Sequence, residues 1–171
     1  MKNLFKEIGK ILFYIAIAAV FVWGFSSVIG QQVIVSGSSM EPTFQDGDNV
    51  FINKFTYLFS DPERFDVIVF PLKNEKNTYY IKRIIGLPGE TVQIGEDGTI
   101  YINGEVLNED YGAEIINADM IGLAENPVML GKEEYFVLGD NRNYSNDSRM
   151  DKIGNIKKSD IIGKVSCKLI F

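Results

Sequence analysis

The sequence contains no histidine and a single cysteine, Cys167, among its 171 residues. A Ser-His-Asp catalytic triad is therefore impossible, and a lone cysteine cannot form an internal disulfide bond. The same scarcity argues against a zinc site, because zinc in proteins is held mainly by cysteine and histidine. We therefore expect neither a metal ion nor a cofactor.

An excess of positive charge is also absent. Aspartate and glutamate number 23 against 17 lysines and arginines, which gives a formal net charge of −6. Binding of nucleic acid without sequence preference depends on basic side chains that neutralise phosphates. The composition thus predicts no nucleic-acid partner, and the length predicts one domain with a substantial core.

Charged residues are missing from one long stretch, between Lys10 and Glu41. Within it, residues 11–30 read ILFYIAIAAVFVWGFSSVIG. About 20 mostly apolar residues suffice for a helix across a hydrocarbon layer of about 30 Å. The alternatives are a cleaved signal peptide, whose apolar core is usually shorter, and a buried helix of a soluble protein. We predict a retained, single-pass transmembrane helix over residues 11–30.

Three lysines, Lys2, Lys6 and Lys10, precede this segment, and none follows it closely. The positive-inside rule then predicts a cytoplasmic tail over residues 1–10. Residues 31–171 would form a catalytic domain outside the cell membrane, beside the lipid bilayer.

Beyond residue 31 the sequence is dominated by strand and turn signals. Apolar alternation and β-branched runs predict strands within 32–35, 48–55, 65–70, 78–94, 134–141 and 160–171. Asn103-Gly104 predicts a tight hairpin, and residues 112–130 predict an irregular loop with a short helical turn. The predicted fold is mostly β: an antiparallel sheet or barrel-like catalytic domain with a small β-hairpin extension, anchored by one N-terminal helix.

The stretch SGSSMEPT, residues 36–43, predicts a turn that carries an exposed serine. Without histidine, a serine nucleophile can be activated by a neutral lysine amine. Lys54 and Lys82 both lie in strand-like segments, and Lys82, in YYIKRIIG, has the more apolar neighbours. Burial there would lower its pKa, whereas Arg83 would point to the opposite face of the strand. The alternative is a surface lysine with its amine in water.

The ordered motifs resemble those of type I signal peptidases, membrane-anchored serine proteases that remove signal peptides from exported proteins. They are SGSSMEPT, GDNVFINK, FDVIVF, YYIKRIIGLPGE and GDNRNYSNDSR. The short body and single predicted helix resemble the Gram-positive form. The resemblance implies that the substrates are signal-peptide-bearing preproteins, cut after small-x-small ends of the Ala-x-Ala type.

The resemblance also implies a role for each matching residue. The serine before the methionine, Ser39, corresponds to the nucleophile, and Lys82 corresponds to the general base. Ser145 corresponds to a serine whose hydroxyl orients the lysine amine. Asp147 and Arg149 correspond to an acid–base pair that supports the site.

The remaining predicted site residues concern the oxyanion and the substrate. Gly37 stands where Gram-negative members have a donating serine, so the oxyanion hole would rest mainly on the Ser39 backbone N–H, with Ser38 as a further candidate. The walls that would contact substrate are formed by Val33, Val35, Met40, Val69, Tyr80 and Ile81. From the residue pattern alone, these six are equally compatible with an ordinary core.

Several alternatives remain at this point. The endoplasmic-reticulum type of signal peptidase has histidine in place of the lysine, which this chain lacks. A relative of the mitochondrial inner-membrane peptidases, or a dedicated paralogue with few substrates, fits the same residues. A self-cleaving Ser/Lys repressor would need a DNA-binding domain where the apolar segment stands. A membrane-tethered β-domain without activity would need the serine and lysine to lie apart.

Overall fold

The computed structural model describes residues 2–72 and 78–169, with the backbone alone described for residues 2–5 and 21–29. A helix of 28 residues, α1 (Lys2–Ile29), leads directly into the first strand. We predicted a membrane-spanning helix over residues 11–30, but no helix in the described part of the chain is both long and apolar enough to cross a membrane. The side chains of residues 21–29, within the predicted span, lie outside the described residues.

The rest of the described chain is built from short strands and turns. The strands in chain order are β1 (Gly30–Ile34), β2 (Asn49–Asn53), β3 (Val67–Pro71), β4 (Tyr79–Gly86), β5 (Thr91–Ile94), β6 (Ile100–Ile102), β7 (Glu105–Val106), β8 (Val128–Met129), β9 (Glu134–Leu138), β10 (Ile156–Lys157) and β11 (Gly163–Leu169). Each pairing between these strands is antiparallel. The prediction of a mostly β, antiparallel fold is confirmed.

The larger sheet has the strand order β1-β2-β11-β3-β4-β9-β10. The last described strand, β11, is therefore inserted between β2 and β3, two strands from much earlier in the chain. Among the described residues no ladder joins β1 to β10, so the predicted barrel-like closure is not found and the sheet is open. The edge of β1 away from β2 carries no neighbouring strand in this part of the chain, which leaves its main-chain groups available for pairing.

The smaller sheet, of order β7-β6-β5-β8, contains the predicted hairpin extension. Asn103 and Gly104 join β6 to β7 with φ angles of 54° and 84°, the left-handed conformation that a two-residue hairpin turn requires. The loop predicted over residues 112–130 contains two short 3-10 helices, Ala118–Met120 and Gly122–Glu125, and ends in β8. The two-residue strands β8 and β10 lie within no predicted strand because so few residues show no periodicity.

One of the hydrophobic clusters lies beneath the loop that joins β1 to β2. It contains Val35, Met40, Phe44, Val50, Ile52, Val67, Val69 and Val165, each less than a tenth exposed. Met40 and Phe44 come from the loop itself, and the other residues come from the sheet and its margins. The loop is therefore seated on the core, which restricts the positions its remaining residues can take.

Candidate active site

The loop between β1 and β2 carries Ser39 and is closed at its base by backbone hydrogen bonds. The Val35 N–H donates to the Asp48 carbonyl at 2.8 Å, and the Gly47 N–H donates to the Val35 carbonyl at 2.9 Å. Gly37 has a φ of 91°, a conformation that favours glycine, and its N–H donates to Asp46 Oδ1 at 2.7 Å. These bonds hold the serine-bearing turn in one shape.

Lys82, on β4, lies directly against Ser39 although 43 residues separate them in sequence. Its Nζ lies 2.7 Å from Ser39 Oγ and also donates to the Ile81 carbonyl at 2.8 Å. The Lys82 side chain is buried, at 3% exposed, whereas Ser39 is half-buried and accessible from the cleft. The structure thus brings together the two residues that the sequence singled out as nucleophile and base.

Burial has a direct effect on the Lys82 amine. Loss of hydration lowers the pKa of Lys82 from 10.5 to about 8, while the negative charges of Asp147 and Asp140 oppose the shift. A substantial neutral fraction therefore exists near pH 8. In the neutral form the Nζ lone pair can accept the Ser39 proton along the existing 2.7 Å contact.

Two backbone donors near the serine are in different states. The Gly37 N–H is bound to Asp46, as described above, and so is turned towards a carboxylate. Among the described residues, nothing accepts a hydrogen bond from the Ser39 N–H. The Ser39 N–H is therefore the better placed of the two to receive an oxyanion. The Ser38 carbonyl accepts from Asn141 Nδ2 at 3.1 Å, which ties this turn to the loop after β9.

Ser145, in that same loop, is buried at 3% exposed. Its Oγ has no hydrogen-bond partner in the described part of the chain, so no hydrogen bond joins it to the Lys82 amine. A Cβ added at Gly139 would lie 2.2 Å from Ser145 Oγ and 2.4 Å from the Ser39 carbonyl oxygen. Glycine at 139 is thus what allows Ser145 and the Ser39 backbone to pack together. The orienting role of Ser145 stays a prediction.

Asp147 and Arg149 form a buried ion pair, with both side chains at most 2% exposed. Arg149 donates to both Asp147 oxygens at 2.8 Å, and Asp147 Oδ2 accepts the Gly139 N–H at 3.1 Å. Arg149 also donates to the Arg142 carbonyl at 2.6 Å. The pair therefore links both ends of the loop after β9 and lies behind the serine and lysine rather than in the cleft.

The cleft over Ser39 and Lys82 has a volume of about 550 Å³. Gly37 and Ser38 lie on its wall, and so do all six residues predicted to contact substrate: Val33, Val35, Met40, Val69, Tyr80 and Ile81. The described residues contain no group of three or more cysteine, aspartate or glutamate side chains placed to hold a metal ion. The arrangement is suited to holding an extended peptide against a serine.

The sequence analysis missed Tyr144 and Asn146, which also line the cleft. Both are exposed, and they flank the buried Ser145. The available signal was alternation: with Ser145 facing inward, its two neighbours face outward. Asp46, which binds the Gly37 N–H, was missed as well, because nothing in its sequence neighbourhood distinguishes it from a surface turn residue.

A sequence model of the family described as "Signal peptidase, peptidase S26" matches residues 5–170 of the chain. Signal peptidase I of Bacillus licheniformis is 36% identical over 168 residues, which are 95% of this chain and 87% of that protein. Signal peptidase I V of Bacillus subtilis strain 168 is 38% identical over 145 residues, with coverage of 77% and 81%. The crystal structure of a signal peptidase I from Enterococcus faecalis V583 matches with 36% identity and a TM-score of 0.51, covering 63% of this chain and 98% of that one.

Proposed function

The chain belongs to the signal peptidase family, peptidase S26, and we propose that it is a membrane-bound serine endopeptidase that removes N-terminal signal peptides from exported preproteins. The observation that carries the proposal is the 2.7 Å contact between Lys82 Nζ and Ser39 Oγ, made by a lysine whose pKa is lowered to about 8. The relatives named signal peptidase I agree with this activity.

The reaction begins when neutral Lys82 accepts the Ser39 proton as Oγ attacks the scissile carbonyl carbon. The Ser39 N–H donates to the oxyanion, and one such donor typically contributes about 3–4 kcal/mol. The tetrahedral intermediate collapses, the C–N bond breaks, and the Lys82 ammonium protonates the leaving amine. A water molecule, deprotonated by Lys82, then attacks the acyl-enzyme and releases the signal peptide with a free carboxylate.

The substrate binds as an added strand between the segment that enters Ser39 and the segment before Lys82. Main-chain hydrogen bonds supply affinity, and alternate side chains face the wall. The wall residues Val33, Val35, Met40, Val69, Tyr80 and Ile81 then form shallow apolar pockets. Such pockets accept small residues at the last and third-last positions of the signal peptide, which gives the small-x-small preference.

Membrane attachment is the second part of the proposal. It is supported by the uncharged stretch between Lys10 and Glu41 and by the lysines that precede it. Residues 1–10 lie in the cytoplasm, residues 11–30 anchor the chain in the cell membrane, and residues 31–171 form the extracytoplasmic domain. Enzyme and membrane-held substrate are thereby confined to one plane.

The test is cleavage of a purified preprotein by the detergent-solubilised full chain, with the new N-terminus identified by mass spectrometry. Ser39→Ala and Lys82→Ala should each lower the rate by at least about 10³-fold. Lys54→Ala is the matched control, because Lys54 lies in a similar strand-like segment but donates to Gln31 Oε1. We expect its rate to match that of the wild type.

Two results would contradict the proposal. Wild-type cleavage by Lys82→Ala would assign the general base to another group. Failure of a folded wild-type chain to cut several different preproteins would favour a dedicated paralogue or a binding domain.

A further inference from the structure

An exposed apolar patch lies in the loop that follows β2. It consists of Phe55, Leu58 and Phe59, whose side chains are 37%, 64% and 78% exposed. The two phenylalanine rings stack with centroids 4.8 Å apart, so the patch is continuous. Large exposed apolar side chains that cluster in this way mark interaction surfaces.

The loop presents these residues in a fixed conformation. Asn53 Oδ1 accepts hydrogen bonds from the Phe55 and Thr56 N–H groups at 2.9 and 3.2 Å. Tyr57 points inward, where its hydroxyl donates to Asp66 Oδ2 at 2.9 Å. Burial beside that carboxylate raises the pKa of Tyr57. Because Tyr57 is held from within, Leu58 and Phe59 are directed to the outside.

The patch lies where α1 joins the sheet. In the ladder between β1 and β2, Gly30 is opposite Asn53, and α1 ends one residue before Gly30. Lys54, at the start of the loop, donates to Gln31 Oε1 at 2.9 Å. The exit of the helix and the apolar patch are therefore adjacent.

The described part of α1 is itself exposed and apolar. Ile11, Phe13 and Val20 are 58%, 62% and 69% exposed. A helix that shows apolar side chains on all sides requires an apolar environment. One environment, the bilayer, can cover both the helix and the neighbouring patch.

Cationic side chains border the patch. Lys54 and Lys158, with Leu58 and Glu133, line a hollow of about 430 Å³. Lysines at the rim of an apolar surface favour a bilayer that carries anionic headgroups. The domain as a whole is acidic, so this local charge distinguishes the patch from the remaining surface.

We propose that Phe55, Leu58 and Phe59 insert into the interface of an anionic lipid bilayer beside α1 and hold the catalytic domain against the membrane. The patch is a second membrane contact in addition to the helix. The inference rests on the membrane attachment in the proposed function, but it concerns a surface outside the catalytic cleft.

The first test measures lipid contact directly in the full chain. In a Cys167→Ser background, Phe59→Cys is compared with Met129→Cys, because both native side chains are 78% exposed and Met129 lies on the smaller sheet. Each cysteine is labelled with an environment-sensitive fluorophore, and the protein is reconstituted in phosphatidylcholine vesicles with about 30% phosphatidylglycerol. Nitroxide-labelled lipids should quench the probe at 59 several-fold more strongly than the probe at 129. Equal quenching, or none at 59, would overturn the proposal.

The second test measures the consequence for processing. The double variant Leu58→Ser with Phe59→Ser should cut a vesicle-inserted preprotein on the order of tenfold more slowly than the wild type. It should cut a short soluble peptide in detergent at the wild-type rate, which shows that the site is folded. Unchanged processing in vesicles would overturn the proposal. If the wild type fails to cut the soluble peptide, the proposed function fails, while the quenching experiment still decides the membrane contact.

Discussion

Lys82 and Arg83 are adjacent on β4, and both are buried cations, 3% and 5% exposed. Arg83 donates to both oxygens of Asp140 at 2.8 and 2.6 Å and stacks 3.8 Å from the centre of the Tyr111 ring. Lys82 faces only a hydroxyl and a carbonyl, with no carboxylate within ion-pair distance in the described part of the chain. The difference between the two faces of one strand teaches that burial yields a neutral base only where the counterion is missing.

The nearby acids do not supply that counterion because each has its own arginine. Asp140 pairs with Arg83, and Asp147 pairs with Arg149. Their charges oppose the lowering of the Lys82 pKa, but burial has the larger effect. The two arginines thus satisfy the carboxylates from the far side and leave the amine to the serine.

Arg83→Met should produce the largest effect, since it leaves Asp140 buried and without its charged partner. Removal of one member of a buried pair typically costs about 3–5 kcal/mol of unfolding free energy. Urea unfolding at neutral pH measures this loss. Lys82→Met is the matched control on the next residue, and a loss of equal size there would erase the contrast between the two faces.

Lys82→Met should instead stabilise the protein at neutral pH. The folded pKa, about 8, lies below the ordinary 10.5, so the folded state binds fewer protons between these values. Wild-type stability therefore rises with pH across that window, and below about pH 8 it is lower by about 3 kcal/mol than above the window. The gain from methionine should disappear near pH 10.5. A gain that does not change with pH would mean that Lys82 is not desolvated.

The pH dependence of cleavage should report the same group. Because the neutral amine is the active form, kcat/KM should rise about tenfold per pH unit in the acidic range and level off above an apparent pKa of about 8. A fluorogenic signal-peptide substrate allows the measurement. A midpoint near 10.5, the ordinary lysine value, would show that Lys82 behaves like a solvated lysine.

Ser145→Ala should have the smallest effect on stability and a clear effect on rate. Its hydroxyl is buried without a partner, so its removal should change the unfolding free energy by less than about 1 kcal/mol. If the hydroxyl orients the Lys82 amine during the reaction, kcat should fall about tenfold with KM unchanged. Unchanged kcat would restrict Ser145 to packing against Gly139.

Much of the fold could be predicted because most strands carry a strong apolar signal. The run FDVIVF and the Asn103-Gly104 turn identify β3 and the β6–β7 hairpin from local residues alone. The insertion of β11 between β2 and β3 could not be predicted, since pairing between distant segments depends on the packing of the whole sheet. The contribution of α1 to the membrane anchor remains a proposal.

The candidate site was partly predictable for a chemical reason. With histidine absent, a serine nucleophile needs a lysine, and only a strongly apolar segment makes such a lysine neutral; Lys82 satisfies both conditions. Tyr144 and Asn146 escaped prediction because exposed polar residues in a turn have the same composition whether or not a cleft lies beside them. Their position depends on how the loop after β9 meets Ser39.

The position of β11 has a consequence for the order of assembly. Ser39 belongs to the β1–β2 side of the larger sheet and Lys82 to the β3–β4 side, and β11 is the strand that joins the two sides. During synthesis the nucleophile and the base emerge early, yet the sheet that aligns them is incomplete until the last strand has arrived. Such long-range pairing also makes folding slow. We therefore expect the chain to acquire proteolytic activity only after β11 has docked, so that a nascent or truncated peptidase is latent by construction.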